Sequence, residues 1–355
     1  MKIHLLALAA LLSVTACHRS SDKDETPRQT AASPYDALRF VDDDTEPAAP
    51  FTPPANLAVE VALDRLGFSS GVIDGKATRF DELALRGFQA ANGLAETGTL
   101  DEQTRAALAR AQSVEATRVV RVPEAFARGP FVPDLPTETS KQAGFDHLGY
   151  RNLMEALAER FHTTPETLVA LNGPGTKIGA NAVIRVPNVA EADTAGMQPD
   201  ERGWNATLVS LGVSPAQPQA ERIVVSKSKG TLRAYDGDGK LLVQFPATMG
   251  SGHDPLPLGN WKIVGVSRNP DFHFNPKLFW DVSDSVKERL LKPGPNGPVG
   301  VVWLDLSKEH YGIHGTGEPA SIGRSESHGC VRLTNWDAAR LAQMVKPGVA
   351  VVFER

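Results

Sequence analysis

The period of the apolar residues changes once along this chain, and that change decides the broad fold. Between Asn56 and Gln112, Leu57, Val61, Leu63 and Leu66, then Phe80, Leu83, Leu85 and Phe88, recur at helical spacing between glycine-bearing turns. From Ala220 onward, runs such as "RIVVS", "LGNWKIVGVS", "VGVVWLDLS" and "GVAVVFER" read as strands. One period cannot serve both halves, so the 355 residues divide into domains. A compact three-helix domain is expected over residues 55–112, with Thr99 and Glu102 as the capping box of its last helix. A mainly-β domain is expected over 221–355, with a hairpin across "DGDGK". Its one clear helix spans Asn335–Met344, started by Thr334 and Asp337 and stopped at Pro347-Gly348.

Between these blocks, residues 113–144 are proline-bearing and aperiodic, which predicts a linker. Residues 145–190 read as helix, turn, helix and a strand around Val183–Val186, and 191–220 as a second linker. The chain opens "MKIHLLALAALLSVTAC". Lys2 precedes an apolar run, Leu5 to Leu12, that is too short to span a bilayer, so residues 1–16 read as a signal peptide. Residues 17–54 hold many Asp, Glu, Ser, Thr and Pro and too few apolar groups to offset the entropy of ordering, which predicts a disordered, extended tether. The net charge is −5 and no basic block appears, so nucleic-acid binding lacks its electrostatic basis.

Only two cysteines occur. Cys17 closes the signal segment, which leaves Cys330 with no disulfide partner in the chain. An unpaired thiol in an exported protein is either reactive, intermolecular or a small core residue. Its surroundings, "YGIHGTGEPASIGRSESHGCVRL", favour reactivity. A thiolate is the effective nucleophile, and a nearby imidazole such as His314 promotes its formation and can protonate a leaving amine. Gly329 allows a backbone N–H to approach an oxyanion, and Gly315 lets the chain pass close to His314. His310 and His314 stand four apart, but Gly312 and the strand-like "YGIHGT" argue against the helix a metal pair at that spacing needs. No metal or other cofactor is expected. His147 and His162 read as surface or helix-face residues.

"HGT" followed by "SHGCVR" resembles the catalytic signature of L,D-transpeptidases of the YkuD type, cysteine enzymes of the bacterial cell wall. The resemblance extends through "PLPLGNWKI", "RNPDFHFNP", "GPNGPVGVVWLDL" and "IHGTGEPASIG", over about residues 221–354. It implies a mixed β-sandwich in which Cys330 is the nucleophile and His314 the general base, forming an ion pair with it. It further implies that the Gly315 carbonyl holds the other ring nitrogen of His314, and that the backbone N–H groups of His328, Gly329 and Cys330 form the oxyanion site. Ser327 and the His328 side chain would line the cleft. Arg332 would pair with a substrate carboxylate or a buried acid. His253, His273 and Trp280 are within possible reach but stand outside the core site.

The implied reaction is attack on the position-three carbonyl of a peptidoglycan tetrapeptide stem, loss of D-Ala, and transfer to an amine. That amine belongs to a second stem or to a wall-anchored lipoprotein. A hydrolase on the same fold and a non-catalytic wall-binding scaffold are the alternatives. "LGFSSGVIDGKATRFDELALRGFQAANGLAETGTLDEQTRAAL" resembles the peptidoglycan-binding-like domain found beside wall enzymes. Tyr150 to Val189 resembles a small α/β LysM module, which implies glycan binding, although its first strand is not recognisable before Asn152. "SVTAC" resembles a lipobox, implying cleavage before Cys17 and membrane attachment through lipid on its thiol. With His18 next, the resemblance implies a periplasmic protein on the outer membrane.

Overall fold

The computed structural model describes residues 33–43, 51–278, 282–283 and 285–355; the signal segment, Cys17 and Trp280 lie outside them. Three helices, α1 (Leu57–Arg65), α2 (Arg79–Ala91) and α3 (Glu102–Ala111), form the first layer. A capping box starts α2: the Thr78 hydroxyl accepts from the Phe80 N–H, and the Asp81 carboxylate accepts the Thr78 N–H at 2.6 Å. Asp101, not Thr99, caps α3, its Oδ1 accepting the Thr104 N–H at 2.8 Å. The expected box fails because Thr99 turns back toward α2, its carbonyl accepting from Gln89. Asp101, next to the first helical residue, reaches the orphan N–H directly.

Strands β1 (Val41–Asp42), β2 (Thr117–Arg121) and β3 (Val183–Pro187) form an antiparallel sheet with β2 in the middle. Two expectations are corrected here. Residues 33–43 are not a free tether: Phe40 is buried edge-on against Phe126 and Phe161, ring centroids 4.9 Å away in each case. Residues 113–144 are not simply a linker, since they supply β2 and then α4 (Glu124–Ala127). Helices α5 (Leu153–Arg160) and α6 (Pro165–Asn172) follow, and Thr164 caps the latter with Pro165 in its first turn. Leu57 and Val61 of α1 share one apolar cluster with Val120, Phe161 and Ile184, so the two N-terminal layers have a common core.

Residues 191–220, expected as a second linker, hold α7 (Trp204–Ser210). Trp204, Leu208, Leu211 and Val213 are buried in the C-terminal core. That domain contains β4 (Arg222–Ser226), β5 (Thr231–Tyr235), β6 (Leu241–Pro246), β7 (Thr248–Met249) and β8 (Gly259–Arg268). A separate pair follows, β9 (Phe272–Phe274) with β10 (Arg289–Leu291). The chain ends with β11 (Val302–Leu306), β12 (Gly312–His314), β13 (Val331–Arg332), α8 (Asn335–Met344) and β14 (Ala350–Glu354).

Nine strands hydrogen-bond in the order β6-β5-β4-β14-β8-β11-β12-β13-β7. The pairs β4/β14 and β12/β13 are parallel and the rest antiparallel. Both edge strands, β6 and β7, belong to one chain segment with only Ala247 between them. The sheet therefore curls back on itself as a near-barrel, in place of the two separate layers of the expected sandwich. Helix α8 begins at Thr334, whose hydroxyl accepts the Asp337 N–H at 3.2 Å, and buries Trp336, Ala339 and Leu341 in the domain core.

The layers meet through buried polar groups. His162, expected at the surface or on a helix face, is 1% exposed. Its Nδ1 lies 3.0 Å from Asp64 of α1, its Nε2 2.9 Å from the Leu211 carbonyl, and its ring stacks on Trp336 at 4.7 Å. Arg340 of α8 donates to the Asp64 carbonyl at 3.0 Å. Helical amphipathicity could not forecast this, because the groups that bury His162 come from α1, α7 and α8.

Candidate active site

The parallel pairing of β12 with β13 builds the site. Ile313 registers with Val331 and His314 with Arg332. Ile313 and Val331 are fully buried and face the core. Successive strand residues alternate faces, so His314 and Arg332 share the opposite face, joined one step earlier by Gly312 and Cys330. Cys330 immediately precedes β13, which pairs with the strand carrying His314. The Cys330 Sγ lies 3.8 Å from the His310 carbonyl oxygen, and the Gly312 N–H donates to the sulfur.

His314 is 4% exposed. Its Nδ1 is 2.7 Å from the Gly315 carbonyl oxygen. A carbonyl only accepts, so Nδ1 carries the proton and Nε2 keeps its lone pair. The imidazole also stacks on Trp303, centroids 5.6 Å apart. Burial, and then the nearby Arg332 guanidinium, push its pKa down to about 3, against the contribution of the Gly315 carbonyl. Burial pushes the Cys330 thiol up, opposed by the Gly312 N–H and Arg332. Burial thus works against the charged form of each group of the expected thiolate–imidazolium pair. A thiol and an imidazole can pass a proton as the sulfur attacks a carbonyl, with Nε2 as the receiving base.

The Cys330 loop has its own supports. Gly329 adopts φ +95°, and a Cβ there would lie 2.5 Å from the Tyr311 ring, so only glycine fits. Ser327, expected to line the cleft, is instead a buried staple. Its hydroxyl donates to the Cys330 carbonyl and accepts the Gly250 N–H, each at 2.6 Å, so both roles are filled within the protein.

His328 and Arg332 line a cleft of ≈ 600 Å³ with Phe272, Phe274 and Asn296, and Gln142 and Arg151 form part of its wall from the N-terminal layers. A cavity of ≈ 730 Å³ around Arg202, Trp204 and Arg268 contains none of the residues expected to act. His253 and His273 are exposed, 3.4 Å from Asp254 and 3.8 Å from Glu288 respectively. Among the described residues, no group of three or more His, Cys, Asp or Glu side chains could hold a metal ion. Sequence reasoning missed Tyr311, Trp303 and Asn335. Tyr311 adjoins the histidine motif, whereas Trp303 and Asn335 reach the site only through tertiary structure.

The curled mixed sheet thus carries a tautomer-fixed histidine on β12 and a cysteine at the entry to β13, the strand paired with it. Comparisons with known proteins are specific. Residues 220–353 match the family YkuD, the L,D-transpeptidase catalytic domain, and residues 55–108 match a peptidoglycan binding domain. The chain is 30% identical over 200 residues to YkuD of Bacillus licheniformis, a protein named for the L,D-transpeptidases, covering 56% of this chain and 91% of that one. It is 54% identical over 118 residues to YkuD of Bacillus subtilis, covering 33% of this chain and 57% of that one. An L,D-transpeptidase structure from Mycobacterium smegmatis aligns with 38% of this chain and 59% of its own at 22% identity and a TM-score of 0.32. On the strength of the first relative, the chain belongs to the L,D-transpeptidase family.

Proposed function

We propose that the protein is an L,D-transpeptidase acting on peptidoglycan stems through a thioester at Cys330. The observation that carries this reading is the His314 tautomer, fixed by the 2.7 Å bond to Gly315 on the strand beside Cys330. His314 Nε2 accepts the thiol proton as sulfur attacks the position-three carbonyl of a tetrapeptide stem. The same proton passes to the nitrogen of the departing D-Ala, and a carbon–sulfur bond replaces the amide. An acceptor amine then attacks the thioester, loses its proton to His314, and regenerates the thiol. The amide cleaved and the amide formed are equivalent, so the transfer needs no nucleotide. Backbone N–H groups of His328, Gly329 and Cys330 stabilise the oxyanion, and Arg332 binds a substrate carboxylate at the mouth of the cleft.

The acceptor amine lies on a second stem, giving a 3→3 cross-link, or on the lysine of a wall-anchored lipoprotein. In this reading the helical N-terminal domain holds peptidoglycan. Residues 145–190 serve as a LysM-like glycan module, a role supported by the succession of α5, α6 and β3 within them. Lipid on Cys17 tethers the enzyme to the outer membrane from the periplasmic side. Mass spectrometry of the products from a disaccharide-tetrapeptide tests the reaction. A dimer lacking one D-Ala supports transpeptidation, whereas monomer that has lost D-Ala and gained water would make the protein a hydrolase.

A further inference from the structure

We infer that Glu159, on α5 and outside the catalytic region, is a positioning residue for His314 and acts through Asn335. The inference rests on His314 being the base. Glu159 is 5% exposed and Asn335 0%. A carboxyl group in such a place is costly unless its bonds do specific work. Asn335 donates from Nδ2 to Glu159 Oε1 at 2.8 Å and to the Pro295 carbonyl at 3.0 Å. Two acceptors on that nitrogen fix the amide's orientation, so Oδ1 faces the other way and accepts the Val301 N–H at 3.1 Å.

That oxygen is wedged against the backbone holding the imidazole. A Cβ at Gly315 would lie 2.2 Å from Asn335 Oδ1, and one at Gly300 2.0 Å. Gly315 is the residue whose carbonyl binds His314 Nδ1. The Leu333 N–H, on the chain running into α8, also donates to the His314 carbonyl at 2.8 Å. Displacement of Asn335 therefore displaces the carbonyl that sets the His314 tautomer and ring angle. Glu159 is the side chain that, with the Pro295 carbonyl, anchors Asn335 from the far side, and it does not line the cleft beside His328 and Arg332. Helix α5 thereby becomes part of the catalytic apparatus rather than only a wall-binding appendage.

The carboxyl also responds to pH. Burial pushes Glu159 up to about 7; Tyr150 and Asn335 bonds oppose this and the neighbouring Glu155 adds to it. The ionised form is the stronger acceptor for Asn335.

The test measures D-Ala release from a disaccharide-tetrapeptide by the full chain, as wild type, Glu159→Ala and Glu159→Gln, across roughly pH 5.5 to 9. Glu159→Ala is expected to lower kcat by roughly 10- to 100-fold, the effect of a small misplacement at a reacting centre, with KM within about twofold. Glu159→Gln, a neutral acceptor like the protonated carboxyl, is expected to match the wild type at low pH, to fall below it above about pH 7, and to exceed Glu159→Ala throughout. The wild-type fall in kcat as pH drops through about 7 is expected to vanish in that variant. Wild-type kcat in Glu159→Ala overturns the inference, as does a Gln variant that is as impaired as Ala with an unaltered pH profile. If Glu159→Ala does not fold, the Gln profile decides. A wild-type protein that releases no D-Ala would overturn the proposed function instead.

Discussion

His314 and Arg332 face each other across the parallel pairing of β12 and β13. The guanidinium is thus set near enough to act electrostatically on both His314 and Cys330. It depresses the His314 pKa, after burial the largest influence, and it opposes the rise that burial gives the Cys330 thiol. One cation thus adds to burial in lowering the His314 pKa and works against burial at the Cys330 thiol.

Replacing Arg332 with Gln is therefore expected to raise the apparent pKa of the Cys330 thiol. Iodoacetamide alkylation followed against pH reads this directly. The midpoint should move upward, and the rate near neutral pH should fall by up to roughly tenfold, the effect of one pKa unit. A midpoint that stays in place or moves down would show that Arg332 does not act on the sulfur.

Asp64 should be a stability residue for the whole assembly. Burial alone would raise its pKa, but the combined pull of His162 and Arg340 holds it below the usual aspartate value. Asp64→Ala leaves the buried Arg340 guanidinium without its counter-charge and the His162 Nδ1 without its partner, and breaking a buried pair typically costs about 3–5 kcal/mol. Urea denaturation should show the loss, and a change under about 1 kcal/mol would mean that the junction relaxes around the missing carboxylate.

Glu60 of α1 carries the opposite linkage. Burial, with Asp81 nearby, pushes its pKa from 4.5 up to about 9. Between those values the folded state keeps a proton that the unfolded chain has released, so stability falls as pH rises toward 9. Glu60→Gln should flatten that fall, so that the variant gains on the wild type as pH rises from 5 to about 9. Urea midpoints at several pH values check this, and parallel curves would contradict it.

What could be read in advance followed the range of the interactions. Cys330, Gly329, His314 and Gly315 lie in two short strings whose chemistry is local, and the His314–Gly315 bond joins adjacent residues. The period change near Ala220 separated helical from β-rich structure, and Thr334 with Asp337 marked α8. Ser327 was misread because its burial depends on Gly250, far upstream. Strand β2 was missed because its valines, Val119 and Val120, form too short a run among prolines to signal a strand. Phe40 looked like tether because its two aromatic partners come from residues 126 and 161. Glu159 and Asn335 are ordinary helix residues until the fold brings them together.

The central claim is that Cys330 carries the acyl group. The most direct measurement is acid-quenched intact mass with peptide mapping, after brief mixing of the protein with a tetrapeptide stem, beside the Cys330→Ser variant. The account predicts an adduct of the stem minus D-Ala on the peptide containing Cys330, and neither adduct nor turnover in the serine variant. An adduct on another residue, or D-Ala release that persists in Cys330→Ser, would contradict it.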